Sequence, residues 1–124
     1  MLNILKLDDN SCSGTLPTEL GELISLTELY VNTNLFTGTV PSELGNLDKL
    51  TLLWMFSNQL SGSLSSELGY LTSLTSLDVD SNMFTGMFPT EIDKLNLEEL
   101  YLGKNDSTGH PPSDIETGSF WCEG

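Results

Sequence analysis

The sequence predicts an α/β solenoid, in which one short unit of strand, turn and helical turn repeats along the chain. An asparagine recurs with a spacing of 24 residues and, at the last step, of 23. Leucines recur in a fixed frame around each asparagine, and a glycine and usually a proline follow it. We interpret residues 1–116 as about five units, with boundaries at 2–25, 26–49, 50–73, 74–96 and 97–116. Residues 117–124 break the pattern and are predicted to form an irregular tail.

Each unit begins with a Leu-x-x-Leu-x-Leu frame, as at Leu26, Leu29 and Val31. The second and third apolar residues of the frame are separated by one variable residue. This alternation is typical of a strand that buries one face and exposes the other. Stacked units place these strands side by side at about 4.8 Å, so the frame predicts a parallel sheet. No unit buries its apolar side alone and no N-terminal cap is recognisable, so we expect the isolated chain to be marginally stable.

The recurring asparagine follows the strand, where the chain turns and backbone groups lose their strand partners. An amide side chain donates and accepts hydrogen bonds, so a stack of asparagines can satisfy those groups. The predicted ladder consists of Asn10, Asn34, Asn58, Asn82 and Asn105. Asn105 also begins an Asn-Asp-Ser glycosylation sequon, and we favour the ladder role because a ladder amide is buried.

After the asparagine come a glycine, suited to a bend with positive φ, and a proline, suited to the first position of a short helical turn. An acid two residues later lies where a helix N-terminus favours negative charge, so these acids are interpreted as structural. The prolines are Pro17, Pro41, Pro89 and Pro112, and the acids are Glu19, Glu43, Glu67, Glu91 and Asp114. The third unit has Ser65 in place of proline, which predicts a local loosening.

The charge balance argues against several classes of function. Eighteen acids face four lysines, and the formal net charge is −14. Such a surface repels phosphate backbones and anionic lipids, so neither nucleic-acid binding nor direct membrane insertion is expected. The single histidine, His110, belongs to no nucleophile pattern, and the sequence has no glycine-rich phosphate loop. We therefore expect no enzyme, no cofactor and no metal site.

The run Leu-x-Gly-x-x-Pro-x-Glu-Leu-Gly-x-Leu is nearly whole at residues 15–23 and 36–47. It resembles the plant-type leucine-rich repeat, and the resemblance covers roughly residues 2–116. The resemblance implies a right-handed superhelix with a concave parallel sheet, a second smaller sheet near the Thr-Gly-x-x-Pro segment, and short 3-10 or helical turns on the convex side. Similar repeats occur in receptor kinase ectodomains and polygalacturonase-inhibiting proteins, which implies an extracellular or cell-surface setting and recognition of peptides, proteins or glycans.

Families of this type usually carry paired cysteines in caps, and neither cap is recognisable here. Cys12 occupies an inward position that is Phe36 or Leu60 in other units, so a buried free thiol is expected. Four coil steps separate Cys12 from the last unit, roughly 19 Å at strand spacing. A disulfide needs Cα atoms within about 7 Å, so we do not expect Cys12 to pair with Cys122.

An aromatic cluster is predicted on the concave face. Positions beside the inward leucines face solvent, and in the third unit they are Leu52, Trp54 and Phe56, with Tyr30 one strand spacing from Trp54. Exposed aromatics on one face are uncommon unless a partner covers them, and Trp and Tyr dominate interface hot spots. The predicted ligand-binding residues are Glu28, Tyr30, Leu52, Trp54, Phe56, Asp78, Asp80 and Tyr101. The same solvent-facing positions include Asn32 and Ser76.

Carboxylates flank this cluster, which suits a basic peptide or protein loop. The sequence therefore predicts a non-catalytic recognition module that binds a protein or peptide on the concave face. Three alternatives remain open: the ligand-binding fragment of a receptor-like kinase, a secreted inhibitor of a wall-degrading enzyme, or a purely structural or adhesive array. In the last case the aromatics only shield the sheet.

Overall fold

A computed structural model describes residues 1–107 and 119–121. Each of the first four units contains one strand of a long sheet, one strand of a second sheet and one 3-10 helix, in that order. The long sheet contains β1 (Ile4–Lys6), β3 (Glu28–Tyr30), β5 (Leu52–Trp54), β7 (Ser76–Asp78), β9 (Glu99–Tyr101) and β11 (Ser119–Trp121). The second sheet contains β2 (Ser13–Thr15), β4 (Leu35–Gly38), β6 (Gln59–Gly62), β8 (Met83–Gly86) and β10 (Asp106–Ser107). The 3-10 helices are η1 (Thr18–Glu22), η2 (Ser42–Asn46), η3 (Ser66–Tyr70) and η4 (Thr90–Lys94).

Both sheets are parallel and follow the order of the units, which confirms the predicted solenoid. In the long sheet Leu29 pairs with Leu53, Leu53 with Leu77, and Leu77 with Leu100. All four leucines are fully buried, because each is the inward residue of a three-residue strand. The residues on either side of them therefore form the outer face of the long sheet, where the sequence predicted the concave surface.

The sixth strand of the long sheet, β11, lies in the segment that the sequence predicted to be irregular. It pairs with β9 in parallel register, with Phe120 opposite Leu100. The offset between these two residues is shorter than the repeat, so the spacing of the earlier units did not reveal the strand. His110, Pro112, Asp114 and Cys122 lie outside the described residues.

The turn after each strand of the long sheet contains a non-glycine residue in the left-handed region. The five residues have φ between 54° and 58°, and they are Asp9, Thr33, Ser57, Ser81 and Lys104. Each immediately precedes the recurring asparagine. Thr33 is β-branched, which makes its φ of 58° strained. The repeat pattern did not predict this conformation, because glycine, its usual signal, occurs later in the unit.

The 3-10 helices follow the predicted prolines with one difference in position. Pro17, Pro41 and Pro89 are the residues before the helix, with ψ between 134° and 144°, and not its first residue. Where the third unit lacks proline, the Ser65 hydroxyl accepts a hydrogen bond from the Glu67 backbone N–H, 3.2 Å away. Ser65 therefore caps its helix, and the loosening expected there is replaced by a side-chain cap.

Neighbouring 3-10 helices lie so close that glycine is required between them. A Cβ atom added at Gly45 would lie 2.5 Å from the backbone oxygen of Glu67 in the next unit. Gly21 has the same relation to Glu43. The fourth unit has Asp93 at this position, and one of its carboxylate oxygens is buried without a hydrogen-bond partner among the described residues.

The core is a continuous column of leucines between the two sheets and the 3-10 helices. At its N-terminal end Leu5, Leu7, Leu23 and Cys12 are only partly buried. Cys12 is a free thiol, but the expected full burial is wrong, because only one neighbouring unit packs against it. Among the described residues, no helix has the length and apolarity needed to span a bilayer.

Candidate functional site: the outer face of the long sheet

The recurring asparagines link adjacent units just beyond the C-terminal ends of the strands of the long sheet. Asn58 shows the pattern: its Nδ2 donates to the carbonyls of Val31 (2.9 Å), Met55 (3.2 Å) and Phe56 (3.4 Å). Its Oδ1 accepts from the backbone N–H of Phe36, 3.1 Å away in the preceding unit. Asn34, Asn82 and Asn105 make the same set of contacts, and all four side chains are at most 9% exposed.

Asn10 differs from the other predicted ladder residues. It is exposed, and its Nδ2 donates only to Leu7 and Asp8 within its own turn. The contacts of a ladder asparagine reach back to the preceding unit, and no described residue occupies that place beside Asn10. The Asn105 amide is 8% exposed and makes four hydrogen bonds, a geometry that fits the ladder and leaves little room for a glycan.

Three aromatic side chains, Tyr30, Trp54 and Phe56, form what we call the aromatic patch. Tyr30 pairs with Trp54 across β3 and β5, and their rings meet edge to face with centroids 5.3 Å apart. The centroids of Trp54 and Phe56 are 5.9 Å apart. All three side chains, and Leu52 beside them, are half-buried. They are less exposed than the sequence suggested, because each ring covers part of its neighbour.

The indole of Trp54 extends over the adjacent strand β7. Its N–H donates to the Ser76 hydroxyl at 2.9 Å, and Ser76 is 5% exposed. The predicted solvent exposure of Ser76 is therefore wrong, because the larger side chain of the neighbouring unit covers it. The hydrogen bond also fixes the ring, so Trp54 presents a defined surface without losing further rotamer freedom when a partner binds.

Asn32 was also expected to face solvent, and it is 6% exposed. Its turn is tied to the patch, because the N–H of the next residue, Thr33, donates to the Phe56 carbonyl at 2.9 Å. The Asn32 Oδ1 atom is buried and has no hydrogen-bond partner among the described residues. The alternation of side chains could not reveal this burial, which depends on the size of the neighbouring residues.

On the N-terminal side of the patch, Tyr30 is held by a charged pair of contacts. Its hydroxyl donates to a carboxylate oxygen of Glu28 at 2.7 Å, and the ammonium of Lys6 lies 5.0 Å from the ring centroid. The hydrogen bond to Glu28, together with burial and the charges of Glu28 and Asp8, raises the pKa of Tyr30 to about 12. This side of the patch thus supplies its own anion and its own cation.

On the C-terminal side the central residue is Asp78, which pairs with Trp54 on one flank and with Tyr101 on the other. Its carboxylate is half-buried and accepts from the Asp80 N–H at 3.1 Å. Burial, together with the carboxyl groups of Asp80 and Glu99, raises the pKa of Asp78 to about 7, and the hydrogen bond from the Asp80 N–H opposes this rise. No lysine is among the groups that act on it.

This arrangement offers an ordered surface for binding. The face joins rigid aromatic rings to carboxylates, and its side chains belong to strands whose register is set by the sheet. In the described part of the chain, no group of three or more His, Cys, Asp and Glu side chains is arranged to hold a metal ion.

The repeat frame also matches a known family over most of the chain. The Leucine Rich Repeat family matches residues 25–47, 49–71, 73–95 and 96–117. The chain belongs to the leucine-rich-repeat family. No curated protein sequence matches it.

Solved leucine-rich-repeat structures superpose closely on the chain. One is the ectodomain of the plant membrane receptor kinase GASSHO1/SCHENGEN3 from Arabidopsis thaliana, in complex with CASPARIAN STRIP INTEGRITY FACTOR 2. It is 37% identical, with a TM-score of 0.87, and the match covers 90% of this chain and 13% of that one. The Arabidopsis receptor kinase HAESA, in complex with the peptide hormone IDA and the co-receptor SERK1, is 30% identical, with a TM-score of 0.82. That match covers 86% of this chain and 18% of HAESA.

A plant ice-binding protein also matches, with 30% identity and a TM-score of 0.76. The match covers 86% of this chain and 34% of that protein. The leucine-rich-repeat chain described here therefore spans less than a fifth of the two receptor chains and about a third of the ice-binding protein.

Proposed function

We propose that this leucine-rich-repeat chain is a non-catalytic recognition module that binds a protein or peptide on the outer face of the long sheet. The observation that carries the proposal is the aromatic patch, in which Trp54 is held between Tyr30, Phe56 and Ser76. The contact residues we propose are Glu28, Tyr30, Leu52, Trp54, Phe56, Asp78, Asp80 and Tyr101.

The aromatic patch is better explained by a binding partner than by shielding of the sheet alone. The inward leucines Leu29 and Leu53 belong to the core column on the opposite face of the sheet, so the three rings cover the outer side of the sheet and not the core. Rings that are half-exposed and already ordered lose little conformational entropy on binding and contribute large apolar area. Such residues commonly carry most of the free energy of an interface.

The similar receptor structures support a peptide or protein as the ligand class. HAESA binds a peptide hormone together with a co-receptor, and GASSHO1/SCHENGEN3 is bound to CASPARIAN STRIP INTEGRITY FACTOR 2. We therefore propose that the chain lies outside the cell or at its surface, as the ligand-binding part of a receptor of this kind. A secreted inhibitor of a wall-degrading enzyme and a structural or adhesive array are the alternatives, and a glycan is the alternative ligand.

The test is a selection of short peptides from a display library on the immobilised chain, followed by calorimetric titration of the selected peptides. Trp54→Ala should weaken binding by about 2 kcal/mol, or about 30-fold, if Trp54 is a hot spot. Tyr70→Ala is the matched control, because Tyr70 is a 68% exposed aromatic residue on the 3-10 helix side. Equal affinities for the wild type and a folded Trp54→Ala variant would exclude the patch as the site.

A second candidate function is ice binding through the outer face of the second sheet, supported by the likeness to a plant ice-binding protein. The first three units carry a hydroxyl side chain on both sides of the glycine, and neighbouring strands bring Thr15 beside Thr37. The series comprises Ser13, Thr15, Thr37, Thr39, Ser61, Ser63 and Thr85. Equivalent hydroxyls are offset by two residues from one strand to the next, because Thr37 lies beside Gln59 and Ser61 beside Met83. In the fourth unit Met87 takes the place of the second hydroxyl.

This candidate is tested by measuring the freezing-point hysteresis of the purified chain and the growth of ice grains in its presence. Thr39→Tyr places a bulky ring in the middle of the hydroxyl series and should abolish any activity. Thr72→Tyr, at an exposed position away from this face, should leave it unchanged. An inactive wild-type chain would eliminate ice binding.

A further inference from the structure

The outer face of the long sheet already shows how it holds a cation. The Lys6 ammonium lies 5.0 Å from the centroid of the Tyr30 ring, and the hydroxyl of that ring donates to Glu28. The face of this ring therefore holds one positive charge, while a carboxylate accepts a hydrogen bond from the hydroxyl of the same ring. A cation within about 6 Å of a ring centroid is attracted by the ring quadrupole, and a nearby carboxylate strengthens the attraction.

The same combination recurs on the C-terminal side of the aromatic patch. Asp78 lies between Trp54 and Tyr101, each one strand away in direct register. Strand spacing, about 4.8 Å, leaves both rings within reach of a group bound to the carboxylate. The Trp54 indole N–H donates to Ser76, which lies on the same strand as Asp78. This hydrogen bond holds the indole over β7.

The charged groups around Asp78 are anions. Asp80 follows it on the same chain segment, and Glu99 lies on β9, the strand packed against β7. On the other flank β5 presents Leu52 and Trp54, which carry no charge. The carboxylate accepts from the Asp80 N–H, and the Asp80 carboxyl lies close enough to share a hydrogen bond with it when one of the two is protonated. No basic side chain is among the groups that act on Asp78.

We propose that Asp78, flanked by Trp54 and Tyr101, is the subsite for one arginine or lysine side chain of the bound peptide or protein. The inference rests on the proposed function and adds the chemistry of one ligand residue. The carboxylate takes the cationic head, and the two rings take the flat guanidinium or the apolar stem. Lys6 plays the equivalent part for Tyr30 from within the chain, so the ligand supplies at Asp78 the cation that the chain supplies at Tyr30.

Binding of a cation at Asp78 should depend on pH. Burial, Asp80 and Glu99 hold the pKa of Asp78 at about 7, so near neutral pH a large part of the protein carries a protonated Asp78. A ligand cation stabilises the ionised form, so binding releases a proton and lowers the pKa of Asp78. Affinity for the cation should therefore rise as the pH increases through about 7.

The experiment uses the full chain and short peptides that were selected on it and contain one arginine. Each peptide is compared with a twin in which citrulline, which has the same shape without the charge, replaces the arginine. The wild type should prefer arginine by about tenfold or more, because a hydrogen bond to a charged group is the stronger kind. Asp78→Asn should reduce that preference to near unity, while Asp48→Asn, which removes one exposed charge after η2, should retain it.

The possible outcomes distinguish a failure of the Asp78 subsite from a failure of the proposed function. A preference for arginine that survives in a folded Asp78→Asn variant, or that is the same at about pH 5 and about pH 9, overturns the subsite and leaves peptide binding intact. Peptides that bind the wild type and the Trp54→Ala variant equally overturn the proposed function, and the subsite with it. Loss of the preference in Asp78→Asn together with retained weak binding supports both.

Discussion

The asparagine ladder allows a quantitative prediction of stability. Four of its asparagines are buried between units, whereas Asn10 is exposed and serves as an internal control. In Asn58→Ala the backbone N–H of Phe36 loses its acceptor, since Asn58 Oδ1 is its hydrogen-bond partner. The three carbonyls that Asn58 serves each keep another donor: Asn34 for Val31, Asn82 for Met55 and Thr33 for Phe56. One buried donor is therefore orphaned, and three carbonyls each lose one of their two bonds.

An orphaned buried donor costs about 1–3 kcal/mol, and the shared carbonyl bonds add a smaller amount. We expect Asn58→Ala to lower the free energy of unfolding by about 2–4 kcal/mol. Asn10→Ala is the matched control, because Asn10 is exposed and bonds only within its own turn. It should lower the free energy of unfolding by less than about 1 kcal/mol.

Urea unfolding followed by far-ultraviolet circular dichroism measures both variants against the wild type. The slope of unfolding free energy against urea must be the same in all three proteins, because a repeat array can lose its cooperativity and unfold in parts. Equal destabilisation by Asn58→Ala and Asn10→Ala would refute the reasoning that the ladder acts by satisfying backbone groups of the preceding unit.

Three further predictions concern stability. Gly45→Ala should lower the free energy of unfolding by about 1–3 kcal/mol, because the new Cβ meets a backbone oxygen at 2.5 Å. Asn46→Ala, at the exposed neighbouring position, should leave the free energy of unfolding nearly unchanged in the same assay. The pKa of Asp78 rises from 3.8 to about 7 on folding, so its ionisation destabilises the folded state as the pH rises through that window. Asp78→Asn should therefore melt above the wild type at about pH 9, with a difference that shrinks toward about pH 4, and Asp48→Asn should show no such trend. Thr33→Asn should raise the free energy of unfolding by about 1 kcal/mol, because asparagine tolerates a φ of 58° better than a β-branched residue; an unchanged or lower stability would contradict the strain argued there.

The fold could be predicted because each unit repeats the same physical solution. Leu29, Leu53 and Leu77 recur at one spacing and pair in one register, so a period in the sequence becomes a period in space. The strand β11 lies at a different offset from its neighbour, and the left-handed residue before each asparagine is not glycine, so neither had a signal in the pattern.

The surface of the site could be predicted only in part. Alternation assigns Tyr30, Trp54 and Phe56 to the outer face, and the structure brings their rings together there. Alternation says nothing about the size of neighbouring side chains, so the burial of Ser76 beneath an indole was not foreseen. The raised pKa of Asp78 was likewise out of reach, because it depends on burial and on the two carboxylates nearby.

The central claim is that the ligand lies on the outer face of the long sheet. The most direct measurement is a map of backbone amide chemical shifts for the isotope-labelled chain, titrated with the tightest peptide from the display selection. The changes should concentrate on β3, β5, β7 and β9 of the long sheet and on the indole N–H of Trp54. Changes confined to the second sheet or to the 3-10 helices, with the Trp54 indole unmoved, would contradict it.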